Sequence, residues 1–468
     1  MGSPTSRLRR GWNSLREAIA GSPQDFTRGS LNRAVYMLAV PMILEMGMES
    51  VFAVADAFFV SRLGADALAT VGFAESMLTM VYGVALGISM GTTAMIARRI
   101  GEKRPHEASQ VAVQAVGLAV VLALATGVPA YLNAAGLLRL MGASEAIIAS
   151  GAGYTGILLG TNLVIMLLFV HNAIFRGAGD ASFAMRALWL ANGINLVLDP
   201  CLIFGLGPFP ELGLTGAAVA TTIGRGSGVI FQFWLLRSGR GRIQVRREDW
   251  RLRKAILLRL VRLSSSGAGQ FLVATASWVA LIRIVATFGS TAVAAYTLAI
   301  RIILFALLPA FGVSMAAATL VGQNLGAGNP RRAELSVWLT GLYTSVFLAG
   351  VTVLFLLSGD SLVRIFTQDP ILVAQAAACL RVISYGYIFY AWGMVLTQAF
   401  NGAGDTMTPL WMNLACFWGC QIPLAWLLAK HTTLASTGVF WSVAVSETLL
   451  AFTAVALFRR GGWKKKMV

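Results

Sequence analysis

Polar residues rarely interrupt this chain. Long apolar runs recur along it, separated by short polar or basic turns. A bilayer-spanning helix needs about 20 mostly apolar residues. Runs of that length lie near 34–60, 66–97, 108–130, 145–175, 182–204 and 213–236. After an Arg-rich stretch, six more lie near 258–286, 292–323, 333–357, 371–400, 407–430 and 436–459. The pattern predicts an all-α integral membrane protein with twelve transmembrane helices.

Composition strengthens that reading. Of the 468 residues, 57% are hydrophobic and 12% charged. Soluble proteins average roughly 25% charged residues, so lipid has to cover most of this surface. The net charge of +17 is spread over short patches between apolar runs, which fits loops on one side of a membrane and argues against a nucleic-acid partner. With the N-terminus placed inside, 29 of the 37 Lys and Arg fall in inner segments. Only Arg62, Arg139, Arg283, Arg364 and Lys430 fall in outer ones. This asymmetry predicts a multi-pass protein with both termini in the cytoplasm, and the expected setting is a bacterial inner membrane. The four cysteines, Cys201, Cys379, Cys416 and Cys420, form no CxxC pair and read as small packing residues.

The two halves repeat at an offset of 225. Gly64 matches Gly289, Gly87 matches Gly312, Gly101 matches Gly326, Gly177-Ala-Gly-Asp180 matches Gly402-Ala-Gly-Asp405, and Gly213 matches Gly438. Six spans per copy give both copies the same orientation. The expectation is therefore two six-helix lobes related by a pseudo-two-fold axis along the membrane normal, with a cavity between them. The expected divisions are a cytoplasmic tail over 1–33, a first lobe over 34–236, a linker over 237–257, a second lobe over 258–459 and a basic tail over 460–468.

Gly151-Ala-Gly-Tyr-Thr-Gly156 has the spacing of a nucleotide loop but lies inside an apolar span and follows no strand. No Walker A, HExxH or Ser-His-Asp pattern is present, so no cofactor and no ATP site are expected, and transport has to draw on an ion gradient. The two Gly-x-Gly-Asp motifs are shared with intramembrane aspartyl proteases, whose chemistry needs two aspartates sharing a proton. Both motifs fall in expected inner loops. They read as glycine turns whose Asp180 and Asp405 cap the next helix.

Ionisable groups in lipid are costly and mark function. The first half carries Glu45, Glu49, Asp56, Glu75 and Asp199 within its spans, the second half only Glu447. Asp56 lies about a turn from the outer end of the first span. Asn195 and Asp199 are four apart and share a helix face. Tyr154 and Thr221 lie at a similar depth, so these five groups are expected to meet in one pocket. Glu45 and Glu49 share the Asp56 face. With Met46 and Asn162 they are candidate secondary or substrate contacts. Pro41 removes a backbone donor from the first span and is a candidate conformational switch.

These residues resemble the multidrug and toxic compound extrusion family. The resemblance runs from about Leu31 to Phe458. It is carried by Ala-Val-Pro41, Asp56-Ala-Phe-Phe-Val-Ser-Arg-Leu-Gly64, Phe175-Arg-Gly-Ala-Gly-Asp180, Asn195-x-x-x-Asp199-Pro200 and Gly213-x-x-Gly-Ala-Ala-x-Ala-Thr221. It looks closest to the DNA-damage-inducible-F-like branch. The resemblance implies a monomeric antiporter that exports organic cations or amphipathic drugs against H⁺ or Na⁺. It places the ion site at Asp56, Asn195, Asp199 and Thr221, near Tyr154, and makes Pro41 the point of bending. Another branch carries an acid in its seventh span; here that helix offers Gln270. The rival readings are a flippase for lipids or lipid-linked saccharides and, more remotely, the intramembrane protease.

Overall fold

The computed structural model describes residues 4–21 and 24–466; residues 1–3, 22–23 and 467–468 of the two expected tails lie outside the described residues. The helices of the first half are α1 (Pro4–Ala20), α2 (Leu31–Ser61), α3 (Ala65–Gly101), α4 (Pro105–Leu132), α5 (Ala134–Leu140), α6 (Glu145–Gly160), α7 (Asn162–Ala178), α8 (Ala181–Phe204) and α9 (Leu214–Ser238). Those of the second half are α10 (Lys254–Ala286), α11 (Ser290–Gly326), α12 (Pro330–Arg364), α13 (Pro370–Ser384), α14 (Tyr387–Gly402), α15 (Met407–Asn413), α16 (Ile422–His431) and α17 (Ser436–Arg459).

The twelve expected spans are recognisable, with three irregularities. The fourth is broken at Thr161, between α6 and α7. The tenth bends by 58° between α13 and α14. The eleventh joins α15 to α16 through a π-helical stretch, Leu414–Gln421. Helix α9 is long enough to span, but Thr221, Thr222, Arg225 and Ser227 dilute its apolar character. Packing against α8, α6 and α7 holds it in place. Helix α1, within the expected N-terminal tail, packs on α2 and α8.

Helices α2–α9 and α10–α17 form the two lobes; the apolar core of the first also takes in Leu260 and Leu263 of α10, and the second holds two clusters of its own. A smaller cluster joins them near the termini, where Leu38 and Met42 of α2 meet Val313, Ala316 and Leu320 of α11. The lobes touch through reciprocal glycines. A Cβ on Gly101 would lie 2.0 Å from Gln323 O, and one on Gly326 would lie 2.2 Å from Arg98 O. Gln323 and Arg98 are themselves 225 apart, so the pseudo-two-fold axis passes through this backbone contact. We call this side the terminal face, since Phe26 and Lys466, near the two ends of the described chain, both lie there. Lys466 O accepts from Arg98, and Phe26 O accepts from Arg332 at 3.3 Å.

One expected match does not hold in space. Gly213 does not correspond to Gly438. It caps α9 with φ 56° and ψ −135°, and the residue capping α17 in the same conformation is Ala435, with φ 48° and ψ −131°. The connection before α17 is five residues shorter than that before α9, while α16 runs two residues further than α8 in register. The offset therefore falls from 225 to 222 in the last helix of each lobe. In that register Arg225 of α9 is the counterpart of Glu447 of α17.

The Gly-x-Gly-Asp motifs make the expected glycine turns but not the expected side-chain caps. Gly179 and Gly404 take left-handed turns, with φ of 90° and 82°. Neither aspartate caps a helix through its side chain. Asp180 accepts from Arg242 N at 2.7 Å and pairs with that guanidinium at 3.5 Å. Asp405 pairs with Lys466 at 3.2 Å and accepts from Thr408 Oγ1 at 2.8 Å. Each therefore ties down the basic segment that follows the last helix of its own lobe. Burial raises the pKa of the Asp180 carboxyl, opposed by the amide and charge of Arg242.

Candidate functional site

The site begins with the face shared by Asn195 and Asp199 on α8. Helix α8 continues through Pro200 to Phe204, so Asp199 lies inside a helix and not at a broken end. Both side chains are buried against α9. With the Asn195 amide oriented to satisfy both its atoms, Nδ2 donates to Asp199 Oδ2 at 2.8 Å. Its Oδ1 then accepts from Thr221 N at 3.0 Å and from Thr221 Oγ1 at 3.2 Å. Gly224 makes the close approach possible, since a Cβ there would lie 2.6 Å from Ala191 O and 2.9 Å from Asn195 Cβ. The result is a carboxylate–amide–hydroxyl chain between two packed helices.

Asp56 of α2 is half-buried and makes no direct hydrogen bond to this chain, but its charge acts on Asp199. Tyr154 of α6 is buried within the field of Asp56, Glu75 and Asp199. The structure therefore brings the five expected residues into one electrostatic neighbourhood, of which Asn195, Asp199 and Thr221 are in hydrogen-bond contact.

Glu45 and Glu49 belong to a different arrangement. Glu45 is buried, accepts from Asn172 Nδ2 at 3.1 Å and pairs with Arg176 at 3.0 Å. Asn172 Oδ1 accepts in turn from Gln232, at 2.5 Å. Glu49 accepts from Asn192 at 3.1 Å and lies 3.6 Å from Arg225. Arg225 also donates to Tyr82 Oη at 3.3 Å and stacks over Phe52. Two buried arginines thus neutralise two of the five acids. Sequence reasoning missed both. Arg176 sits in a motif read as a loop, and Arg225 lies within the expected span 213–236. A cation within a span is itself the available signal, because it requires a partner nearby.

The remaining candidates separate further. Pro41 is buried in α2, one residue before the point where α11 crosses. There Gly312 lies so close that a Cβ would be 2.8 Å from Ile43 N. Met46 is half-buried on the same helix. Asn162 turns away from the site and donates to Thr126 Oγ1 on α4 at 3.0 Å. Gln270 of α10 is buried in an amide pair with Asn401, at 3.0 Å.

Known proteins resemble this chain along nearly its whole length. The chain is 27% identical to a probable multidrug resistance protein NorM of Thermotoga maritima, over 94% of each chain. It is 25% identical to a probable multidrug resistance protein YoeA of Bacillus subtilis, over 95% of this chain and 97% of that one. A solved outward-facing multidrug resistance MATE transporter of the MOP superfamily superposes with a TM-score of 0.88 at 26% identity, covering 94% of this chain and 98% of the other. The MatE family profile matches twice, at residues 41–201 and 268–427, once in each lobe and over more than half of the sequence. The protein is a multi-pass membrane transporter, not an enzyme, and belongs to the MatE family.

Proposed function

We propose that the protein is a secondary active antiporter that exports cationic or amphipathic organic compounds in exchange for H⁺ or Na⁺, with the coupling ion held in the first lobe. The observation that carries this is the hydrogen-bonded chain Asp199–Asn195–Thr221 lying within the field of Asp56. Two carboxylates whose charges act on each other disfavour joint ionisation, so the pair has a ready use for one added positive charge. A proton satisfies it. So does Na⁺, ligated by the carboxylates with the Asn195 and Thr221 oxygens. A cationic cargo competes for the same negative charge, and competition for one charge is sufficient coupling.

The conformational step lies at Pro41. Helix α2 carries Asp56 beyond the proline and meets α11 at Gly312 beside it. A change of bend at Pro41 therefore moves Asp56 and the lobe contact together. In this reading the terminal face is cytoplasmic, the protein sits as a monomer in a bacterial inner membrane, and the gap between the lobes opens outward. The domain divisions at 34–236 and 258–459 follow the same reading.

The test is transport by the purified protein in liposomes, with pH and sodium gradients imposed separately. Asp56→Asn and Asp199→Asn, each confirmed to insert and fold, are expected to abolish gradient-driven export. Full export by both variants would remove this mechanism.

A further inference from the structure

A short segment before α2, residues 24–30, crosses the seam between the lobes on the terminal face. Its shape is set locally. The Asp25 side chain accepts from Thr27 N at 2.9 Å, and Arg28 N donates to Asp25 O at 3.2 Å. An aspartate that bonds the backbone two residues on closes a tight turn. That turn gathers the backbone oxygens of Phe26, Arg28 and Gly29 onto one guanidinium. Arg332 donates through Nη1 to Gly29 O at 2.8 Å, and through Nη2 to Arg28 O at 2.9 Å and Phe26 O at 3.3 Å. Arg332 stands in the first turn of α12, in the second lobe. Its counterpart in the first lobe, 225 residues earlier, is Glu107, whose carboxylate has no proton to donate.

The segment is fastened differently to the first lobe. Gln24 O accepts from Arg242, whose guanidinium lies 5.0 Å from the centre of the Phe26 ring. Phe26 is buried and fills the turn at Gly179, where a Cβ would lie 2.7 Å from its Cε2. Withdrawing this ring would expose apolar surface to water. Arg332 is only half-buried, so water can take the place of its partners when they leave. If the lobes part on this face, the attachment at Arg332 is therefore the one that yields.

We propose that residues 24–30 are a latch: Arg332 grips them while the terminal face is closed and releases them when it opens, and the strength of this grip sets how often the face opens. This rests on the reading that the lobes move apart there during transport, and it adds the part that restrains the movement.

Thr319 of α11 supplies a reporter. It is buried one turn before Gln323 and donates across the seam to Arg176 O at 2.9 Å. In the full-length chain without its four cysteines, Thr319→Cys places a thiol that a charged methanethiosulfonate reaches only when the face opens. A second chain that keeps Cys379 alone, buried in the core of the second lobe, reports unfolding. Arg332→Gln is expected to speed labelling at position 319 by about tenfold, the worth of the charged hydrogen bonds it removes, and to leave Cys379 unchanged. Arg332→Lys keeps the charge but loses the planar fork, and should fall between. Phe26→Ala frees the other end of the same link. It should also speed labelling at position 319, and adding it to Arg332→Gln should give no further gain. An unchanged rate in either single variant overturns the latch. Equal acceleration at position 319 and at Cys379 overturns it too, as do gains that multiply in the double variant. A thiol at position 319 that stays unlabelled in the parent and in every variant overturns the movement of the lobes as well.

Discussion

Gly213 and Ala435 hold one backbone conformation at one place in the two lobes, φ 56° with ψ −135° and φ 48° with ψ −131°, yet only one of them is glycine. Positive φ brings Cβ against the flanking carbonyls in L-residues, at a cost of roughly 1–2 kcal/mol. Nothing lies within 4 Å of a Cβ placed on Gly213, so neighbours do not force the conformation there; the turn into the helix does. Ala435→Gly is therefore expected to raise the thermal midpoint of the purified protein, adding roughly 1 kcal/mol. Gly213→Ala should lower it by a similar amount. A scanning-fluorimetry shift of the opposite sign in either variant would refute the assignment of strain.

The same pair marks how far the sequence could be read. Constant spacing from Gly64 to Asp180 and from Gly289 to Asp405 is enough to infer two lobes, because those glycines sit where helices cross or turn. Beyond the connection at 205–213 the spacing is no longer constant, and a glycine three residues into each final helix, Gly216 or Gly438, imitates the earlier match. The acids were visible as unusual, and Asn195, Asp199 and Thr221 do meet. Which acids are already neutralised was not visible. That depends on Arg176 and Arg225 reaching Glu45 and Glu49 from other helices, and no local pattern encodes it. Asn162 shows the opposite error, a polar residue at membrane depth whose partner, Thr126, is structural.

Glu45 and Arg176 make a buried pair whose worth is in its completeness. Glu45 is also held by Asn172, and both members are nearly free of solvent. Breaking one side of such a pair costs about 3–5 kcal/mol because the other charge stays behind, whereas removing both charges costs far less. Arg176→Met should therefore sharply reduce folded yield and thermal midpoint. Arg176→Met combined with Glu45→Gln should recover much of the loss. A double-mutant cycle on thermal stability reads the coupling, and additive losses would contradict it.

Gly312 places a lobe contact beside Pro41. Any Cβ at this position meets the backbone of Met42 and Ile43, which has no rotamer with which to yield. Gly312→Val should push α11 off α2 at a cost of about 1–3 kcal/mol to the state closed at the terminal face. Arg104 and Asn329 cap α4 and α12 on that face, are both exposed, and lie 225 apart on either side of the axis. Spin labels at these positions, in a background without the four native cysteines, should show a longer-distance population in Gly312→Val. An unchanged distribution would mean that the lobes absorb the methyl groups without parting.

Thr221 offers a way to tell the two coupling ions apart. A sodium ion at the Asp199 site needs several oxygen ligands, and a hydroxyl contributes one of them. A proton needs only the carboxylate. In the structure Thr221 Oγ1 reaches that carboxylate only through the Asn195 amide. Thr221→Val keeps the shape of the side chain and removes the oxygen. It is expected to weaken sodium-driven export by about tenfold, the size of one lost ligand contact, and to leave export driven by a pH gradient within about twofold. Both are read in the same liposomes from the sodium and pH dependence of initial rates. Equal losses under the two gradients would place Thr221 in the packing of α9 against α8, outside the ion's coordination.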